Sequence, residues 1–311
     1  MKILLFGEIN LDIILQGYQS FPSPGREVLA DNFLMTLGSS CAITGAGLAK
    51  LGNSVAYVGI AGDDHAGHLC VDSMAAFGMD VSRVKLNPHL KTGVTVSITS
   101  RHDRSLVSYL GATTALTAAD IADDVFGPFR HVHSSSYFLQ AGLHPGFADV
   151  FARAKRRNLT TSLDPACDPA NEWKSGLEDV LRHVDVFLPN EAELEGITGE
   201  KDPCAALRAL DNGMTLTVAK LGARGAIALR DGEPVCVSAP VLEPLDPTGA
   251  GDCFNAGFLH AWLQGRTLAQ ALRLGVACGS FSTQALGGSG AQPTEEQAEM
   301  FMNHSGKETR N

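Results

Sequence analysis

Short apolar runs alternate with amphipathic stretches along the whole chain. The pattern predicts strands at residues 3–6, 55–58, 160–163, 184–188, 216–218 and 226–229. It predicts helices at 42–50, 67–77, 145–156, 203–210, 251–264 and 268–284. Near-continuous apolar strands separated by helices imply an α/β fold: a doubly wound, mainly parallel sheet flanked by helices on both faces. Two segments break the rhythm. Residues 11–37 contain Phe21-Pro22-Ser23-Pro24-Gly25 and then an extended-looking stretch. Residues 91–110 read as two strands, 92–99 and 105–109, joined by a turn at 101–104. Together they predict a small β-sheet inserted into a single domain spanning 1–311, standing as a lid over the carboxyl ends of the parallel strands. A pair of surface hairpins without function is the plainer alternative. From His304 onward the chain is polar and is expected to fray.

Composition narrows the partners. The formal charge is 24 − 34 = −10, which argues against electrostatic binding of nucleic acid but leaves room for a local basic pocket. No apolar run approaches the roughly 20 residues needed to span a bilayer. The apolar start is short and is followed at once by Glu8, Asn10 and Asp12, so it reads as a first buried strand rather than a signal peptide. Seven dispersed cysteines with no Cys-x-x-Cys pair fit buried free thiols in a reducing cytoplasm. His65, His68 and Cys70 have a spacing that can be drawn as a metal site, but no second ligand pair accompanies them. A turn running into a helix is the plainer reading.

The strongest chemical signal is Asp246-Pro247-Thr248-Gly249-Ala250-Gly251-Asp252, leading into a helix. Gly249, Ala250 and Gly251 allow close backbone approach. The unpaired N–H groups and positive dipole end of a helix form an anion site, naturally a phosphate site. Asp252 in that first turn can stay charged and accept a proton from an attacking hydroxyl. Residue chemistry alone leaves a helix cap as the alternative. The chain has neither the Gly-x-x-x-x-Gly-Lys-Ser/Thr loop nor the protein-kinase motifs.

At these residues the sequence resembles the ribokinase (PfkB) family of carbohydrate kinases. The likeness covers nearly the whole chain in order: Gly7-Glu8-Ile9-Asn10-Leu11-Asp12, Phe21-Pro22-Ser23-Pro24-Gly25, Gly59-Ile60-Ala61-Gly62-Asp63, Pro189-Asn190-Glu191-Ala192-Glu193, Lys220-Leu221-Gly222-Ala223-Arg224-Gly225 and Asp246 to Phe258. The resemblance implies a ribokinase-like fold and an ATP-dependent kinase. Asp252 would be the general base, with Gly249, Ala250 and Gly251 holding the transferring phosphoryl group. Asn190 and Glu193 would act through the Mg²⁺ that accompanies ATP, by way of water, whereas alone they would pass for a helix cap. Lys220, Gly222 and Gly225 would line the nucleotide. Asn10 and Asp12 would hydrogen-bond sugar hydroxyls, with Gly38, Ser39 and Gln140 beside them.

The sequence also departs from the family pattern. Ser39 stands for the second glycine of the first signature, and Ile43 for an asparagine, so one familiar sugar contact is expected to be missing. Ser40 replaces a lysine found in members acting on ribose or some phosphosugars, which points to a neutral substrate. The segment from Asp164 to Pro169, with Trp173, is similar to that of fructokinase-like and ketodeoxygluconate-kinase-like members. Asp246 and Thr248 match the start of a monovalent-cation loop, which implies K⁺ as a further cofactor. Exposed edges of the lid imply a homodimer. Two alternatives remain: a nucleoside kinase of the same family, and a regulatory protein that binds sugar or nucleotide without catalysis.

Overall fold

A computed structural model of the 311-residue chain describes residues 1–18, 20–99, 104–173 and 176–305. In chain order the elements are β1 (Lys2–Phe6), β2 (Asn10–Gln16), β3 (Asn32–Leu37), α1 (Ser40–Lys50), β4 (Ser54–Gly62), α2 (His65–Ala76), β5 (Asp80–Asn87), β6 (Gly93–Thr99), β7 (Arg104–Tyr109), β8 (His131–Ser134), α3 (Phe147–Arg156), β9 (Thr160–Leu163), α4 (Leu177–Leu181), β10 (Val186–Phe187), α5 (Glu191–Thr198), α6 (Pro203–Ala209), β11 (Leu216–Lys220), β12 (Ala226–Arg230), β13 (Glu233–Val237), α7 (Ala250–Leu263), α8 (Leu268–Ser282) and α9 (Glu295–Ser305). Nine strands form one sheet in the order β13-β12-β11-β10-β9-β8-β1-β4-β5. From β5 to β11 every pairing is parallel, and β12 and β13 are antiparallel.

Side chains on a strand alternate between faces, so a strand covered on both sides must be apolar throughout. Central β1 shows this. Ile3 and Leu5 enter one core with Val55 and Tyr57, beneath α1, α7 and α8. Leu4 and Phe6 enter the other with Ala56 and Val58, against Phe147 and Phe151 of α3. The expected strand at 184–188 is only Val186–Phe187, although Val184 and Leu188 are buried too. Pro189 follows and has no N–H to carry the ladder on. The expected fraying from His304 is corrected by α9, which continues to Ser305; the rest of the tail lies outside the described residues.

Strand β8 was not among the predicted strands because its side chains are polar. His131 and His133 are fully buried. They hydrogen-bond in a chain, Thr160–His131–Ser162–His133–Ser135, with links of 2.7–2.9 Å. Burial holds both imidazoles neutral, His131 well below its ordinary value and His133 at about 4. The three residues once drawn as a metal site separate: His65 is exposed, His68 bonds Asp63 at 2.8 Å, and the Cys70 thiol turns to Asn10 O at 3.4 Å.

A second sheet, β3-β2-β6-β7, is built from the two segments that broke the sequence rhythm. β2 pairs with β6 in parallel, and β3 and β7 add antiparallel edges. Most of the turn expected at 101–104 lies outside the described residues.

Helix α7 is buried from Cys253 to Ala261 and passes between α1 and α8. Glycines permit the approach. A Cβ on Gly257 would stand 2.6 Å from Leu274 O, and one on Gly275 2.9 Å from the Phe254 ring. Gly257→Val should therefore destabilise the fold by about 1–3 kcal/mol through overpacking. Urea unfolding measures this; an unchanged midpoint would mean that α7 and α8 can separate freely.

Candidate active site

Two predicted site residues stand at the ends of strands of the large sheet, Asn190 just beyond β10 and Lys220 at the end of β11; Asp164, not among the predicted site residues, follows β9. Ligands of open α/β sheets bind at these carboxyl ends. Helix α7 starts beside them. Its cap Gly249 has φ 72, in the region that favours glycine, and a Cβ there would lie 2.3 Å from Gly288 Cα. Two reasons thus demand glycine at one position. The N–H of Ala250 turns back to Pro247 O at 3.2 Å. Asp246 braces the loop: its Oδ1 accepts from Thr248 N–H and its Oδ2 from Gly287 N–H, both at 2.9 Å.

Asp252 lies in the first turn of α7 and is half-buried. Its carboxylate accepts a hydrogen bond from the Ser40 hydroxyl, and its carbonyl one from Thr44 Oγ1 at 3.3 Å. Burial pushes its carboxyl well above the usual carboxylate range, with the charge of Asp164 adding to it. The Ser40 hydroxyl and the Lys220 ammonium oppose that shift.

Lys220 does more than line a cleft. Its Nζ donates to Asp164 Oδ2 at 2.5 Å and stands 3.5 Å from Asn255 Oδ1. Asn255 Nδ2 also reaches Asp164 Oδ2, at 2.5 Å. Burial disfavours the Lys220 charge, but Asp164 and Glu193 outweigh it and hold the ammonium above its ordinary value. Burial likewise disfavours the Asp164 anion, and Lys220 outweighs it. The pair is therefore ionised. The ammonium also lies 3.5 Å from where a Gly251 Cβ would be, next to the start of α7.

Asn190 caps α5: its Oδ1 accepts from Glu193 N–H at 2.9 Å, and Glu193 Oε2 accepts from Asn190 N–H at 2.7 Å. The capping alternative is real, yet Glu193 is also 6% exposed and pushed up to about 7, by burial first and then by Asp164. Burial next to Asp164 leaves the Glu193 carboxylate poorly compensated when it ionises. Oxygen donors with surplus charge suit a hard divalent cation.

Alongside, a cleft of about 350 Å³ is lined by Lys220, Gly222, Gly225, Val241, Phe254 and Val276, among others. Its lining by Ala239, Pro240, Val241, Leu242 and Pro244 is not legible in the sequence, because isolated prolines and aliphatics give no periodic signal.

At the other end, Asn10 Nδ2 donates to Asp12 Oδ1 at 2.9 Å and to Thr95 Oγ1 at 3.1 Å. A Cβ on Gly38 would fall 2.3 Å from Asp12 Oδ1. Ser39 adopts φ 68, a left-handed conformation unusual for serine. Its hydroxyl offsets that by accepting from Ala42 N–H at 3.2 Å and donating to Glu8 O at 2.7 Å. Gly38, Ser39 and Ser40 thus join Asp12 to Asp252 across two peptide units. Gln140 is fully buried, its Nε2 donating to Ser135 O at 2.6 Å. Ile43 is 3% exposed, with its Cδ1 2.6 Å from where a Gly288 Cβ would sit, so it packs under the α7 loop.

A doubly wound sheet with an acid and a glycine cap at a helix start, an apolar cleft beside them and a polar small sheet opposite is the arrangement of a small-molecule kinase. The chain belongs to the pfkB family of carbohydrate kinases, whose model matches residues 1–295. It is 26% identical over 310 residues to the ribokinase of Haemophilus influenzae, covering 97% of this chain and 98% of that protein. It is 30% identical over 253 residues to the 2-dehydro-3-deoxygluconokinase of Thermoproteus tenax, covering 78% and 77%. An E. coli protein described as a ribokinase II, in a crystal structure with ATP and Mg²⁺, superposes with a TM-score of 0.86 at 21% identity over 97% of this chain and 99% of that one. The ribokinase-like fold and the carbohydrate-kinase assignment read from the sequence both hold.

Removing Asp164 would leave Lys220 buried without its partner. Asp164→Ala should cost about 3–5 kcal/mol of stability. Denaturant unfolding at neutral pH measures it; a loss close to zero would show that the pair is not the buried ion pair described.

Proposed function

We propose that this protein transfers the γ-phosphoryl group of ATP to a hydroxyl of a neutral sugar or sugar derivative, with Asp252 as the general base. The observation that carries this is the short link from Asp12 through Gly38, Ser39 and Ser40 to the Asp252 carboxylate. A sugar hydrogen-bonded by Asn10 and Asp12 would set a hydroxyl against Asp252. The start of α7 would face the phosphates. Asp252 takes the hydroxyl proton as the oxygen attacks phosphorus and ADP leaves. Its raised proton affinity makes it a stronger base once ionised. Asn190 and Glu193 would hold waters of the Mg²⁺ that accompanies ATP, which neutralises phosphate charge. The apolar cleft would take the base, with Gly222 and Gly225 at its edge. K⁺ beside Asp246 and Thr248 completes the proposed cofactor set, and seven free thiols fit work in the cytoplasm.

A neutral substrate follows from the side chains at the sugar end. Asn10, Asp12, Ser39, Ser40 and Thr95 offer amide, carboxylate and hydroxyl groups, with no cation among them to pair a sugar phosphate. Relatives named ribokinase and 2-dehydro-3-deoxygluconokinase favour sugars over nucleosides. The test is ADP release over ribose, 2-dehydro-3-deoxygluconate, fructose, polyols, nucleosides and sugar phosphates. A neutral sugar should lead, kcat/KM should rise through an ionisation above the ordinary carboxylate range, and Asp252→Asn should cut turnover by about 10²–10⁴-fold. Full turnover in Asp252→Asn would refute the mechanism.

We also assign the small sheet as a lid and as a dimer interface. The face toward the site is polar at Asp12, Thr95 and Ser108, with Thr95 and Ser108 hydroxyls 2.9 Å apart. The opposite face carries Leu15, Phe33, Met35, Val107 and Tyr109 outward, with Phe33 63% and Val107 64% exposed. An apolar face of this kind suits a second copy. Val107→Asp should convert a dimer to monomer in sedimentation equilibrium; a wild-type monomer would end the assignment.

A further inference from the structure

The turn after β1 carries a buried carboxyl group that the proposed reaction does not touch. Glu8 is 4% exposed. Its Oε1 accepts from Ser136 Oγ at 2.8 Å and from Cys41 N–H, in the first turn of α1, at 3.3 Å. Its Oε2 has no hydrogen-bond partner among the described residues. The Glu8 carbonyl accepts from Ser39 Oγ at 2.7 Å and from Tyr57 OH at 2.5 Å. Residue 8 therefore grips Ser39 and Cys41, the neighbours of Ser40 on both sides. Ser40 in turn holds the Asp252 carboxylate.

A merely structural anchor would not need a charge. An amide would offer the same acceptor to Ser136 and Cys41 without burying an ionisable group. We propose that Glu8 is a positioning residue for phosphoryl transfer: it fixes the start of α1 so that Ser40 meets Asp252, and it places a second carboxylate behind that link. This rests on Asp252 being the base.

The electrostatic surroundings support it. The titratable groups that share a field with Glu8 are Cys41 on α1, Tyr57 on β4 and Asp252 on α7. None is a cation. After β8, Ser136 meets it with a hydroxyl, while the Ser134 and Ser135 hydroxyls turn to Phe6 O and His133. Burial pushes Glu8 up to about 7, against the hydrogen bonds from Ser136 and Cys41 N–H. Glu8 thus gains its charge near neutral pH. That charge adds to burial and Asp164 in raising the proton affinity of Asp252.

The experiment compares wild type, Glu8→Gln and Glu8→Ala by kcat and KM from pH 4 to 9, with thermal unfolding as a control. Glu8→Gln keeps the acceptor and loses the charge, so its acid limb should move to lower pH while its melting temperature stays close to wild type. Glu8→Ala also loses the anchor, so kcat should fall on the order of tenfold to a hundredfold with KM for ATP unchanged. An acid limb in Glu8→Gln that coincides with wild type overturns the proposal, whatever Glu8→Ala does. If Glu8→Ala does not fold, Glu8→Gln decides alone. An inactive wild type would instead sink the kinase mechanism on which the inference rests.

Discussion

Helix α7 can begin where it does only because glycine stands wherever another segment crosses it. Gly257 lets Leu274 O approach, Gly279 faces Ala250 O, Gly47 admits Ala256, and Gly249 lies against Gly288. Each contact is backbone against backbone or against a small side chain, so none can relax by a rotamer change. The start of the helix is fixed to the loop through Gly288, and that loop reaches β3 by a 2.9 Å bond between Ser289 and Thr36 hydroxyls. Helix, loop and small sheet are therefore linked by direct contacts. A shift of the small sheet is passed to the helix end that would meet phosphate.

Around that unit the charges do not cancel. Asp164, Glu193 and Glu8 are buried and Asp252 is half-buried, and Lys220 is the cation on which Asp164, Glu193 and Asp252 act. Only Asp164 has a close ionic partner. The remaining acids respond as physics requires: burial raises their affinity for protons. An acid that is reluctant to ionise is a strong base when it does, which suits the role proposed for Asp252. In Glu193 the same surplus is what a metal ion accompanying phosphates would relieve.

The elements with strong periodicity were legible in the sequence, and so was the helix-start acid. Apolar β1 and β4 announced a sheet buried on both faces. β8 was not legible, because its histidines and serines satisfy one another rather than water, and nothing in a single strand's pattern reveals a partner on the next. Asp164 was noticed only as part of an Asp-Pro segment; its pairing with Lys220, 56 residues away, exists only once β9 and β11 lie in one sheet. Ile43, which stands for the asparagine of the family pattern, packs beneath Gly288. Ser39 looked like a missing glycine, yet it keeps the glycine conformation with its hydroxyl doubly bonded.

The parallel pairing of β2 with β6 has a consequence in time. Their contact joins positions such as Asn10 and Thr95, 85 residues apart, and α1, β4, α2 and β5 must be laid down between them. The apolar cleft, by contrast, is drawn from one stretch between Lys220 and Thr283. Contacts of long sequence separation carry the larger loop-closure entropy and form late. The half of the site that would choose the sugar is thus the half whose assembly waits on most of the chain, while the half for the common phosphate donor can close on itself.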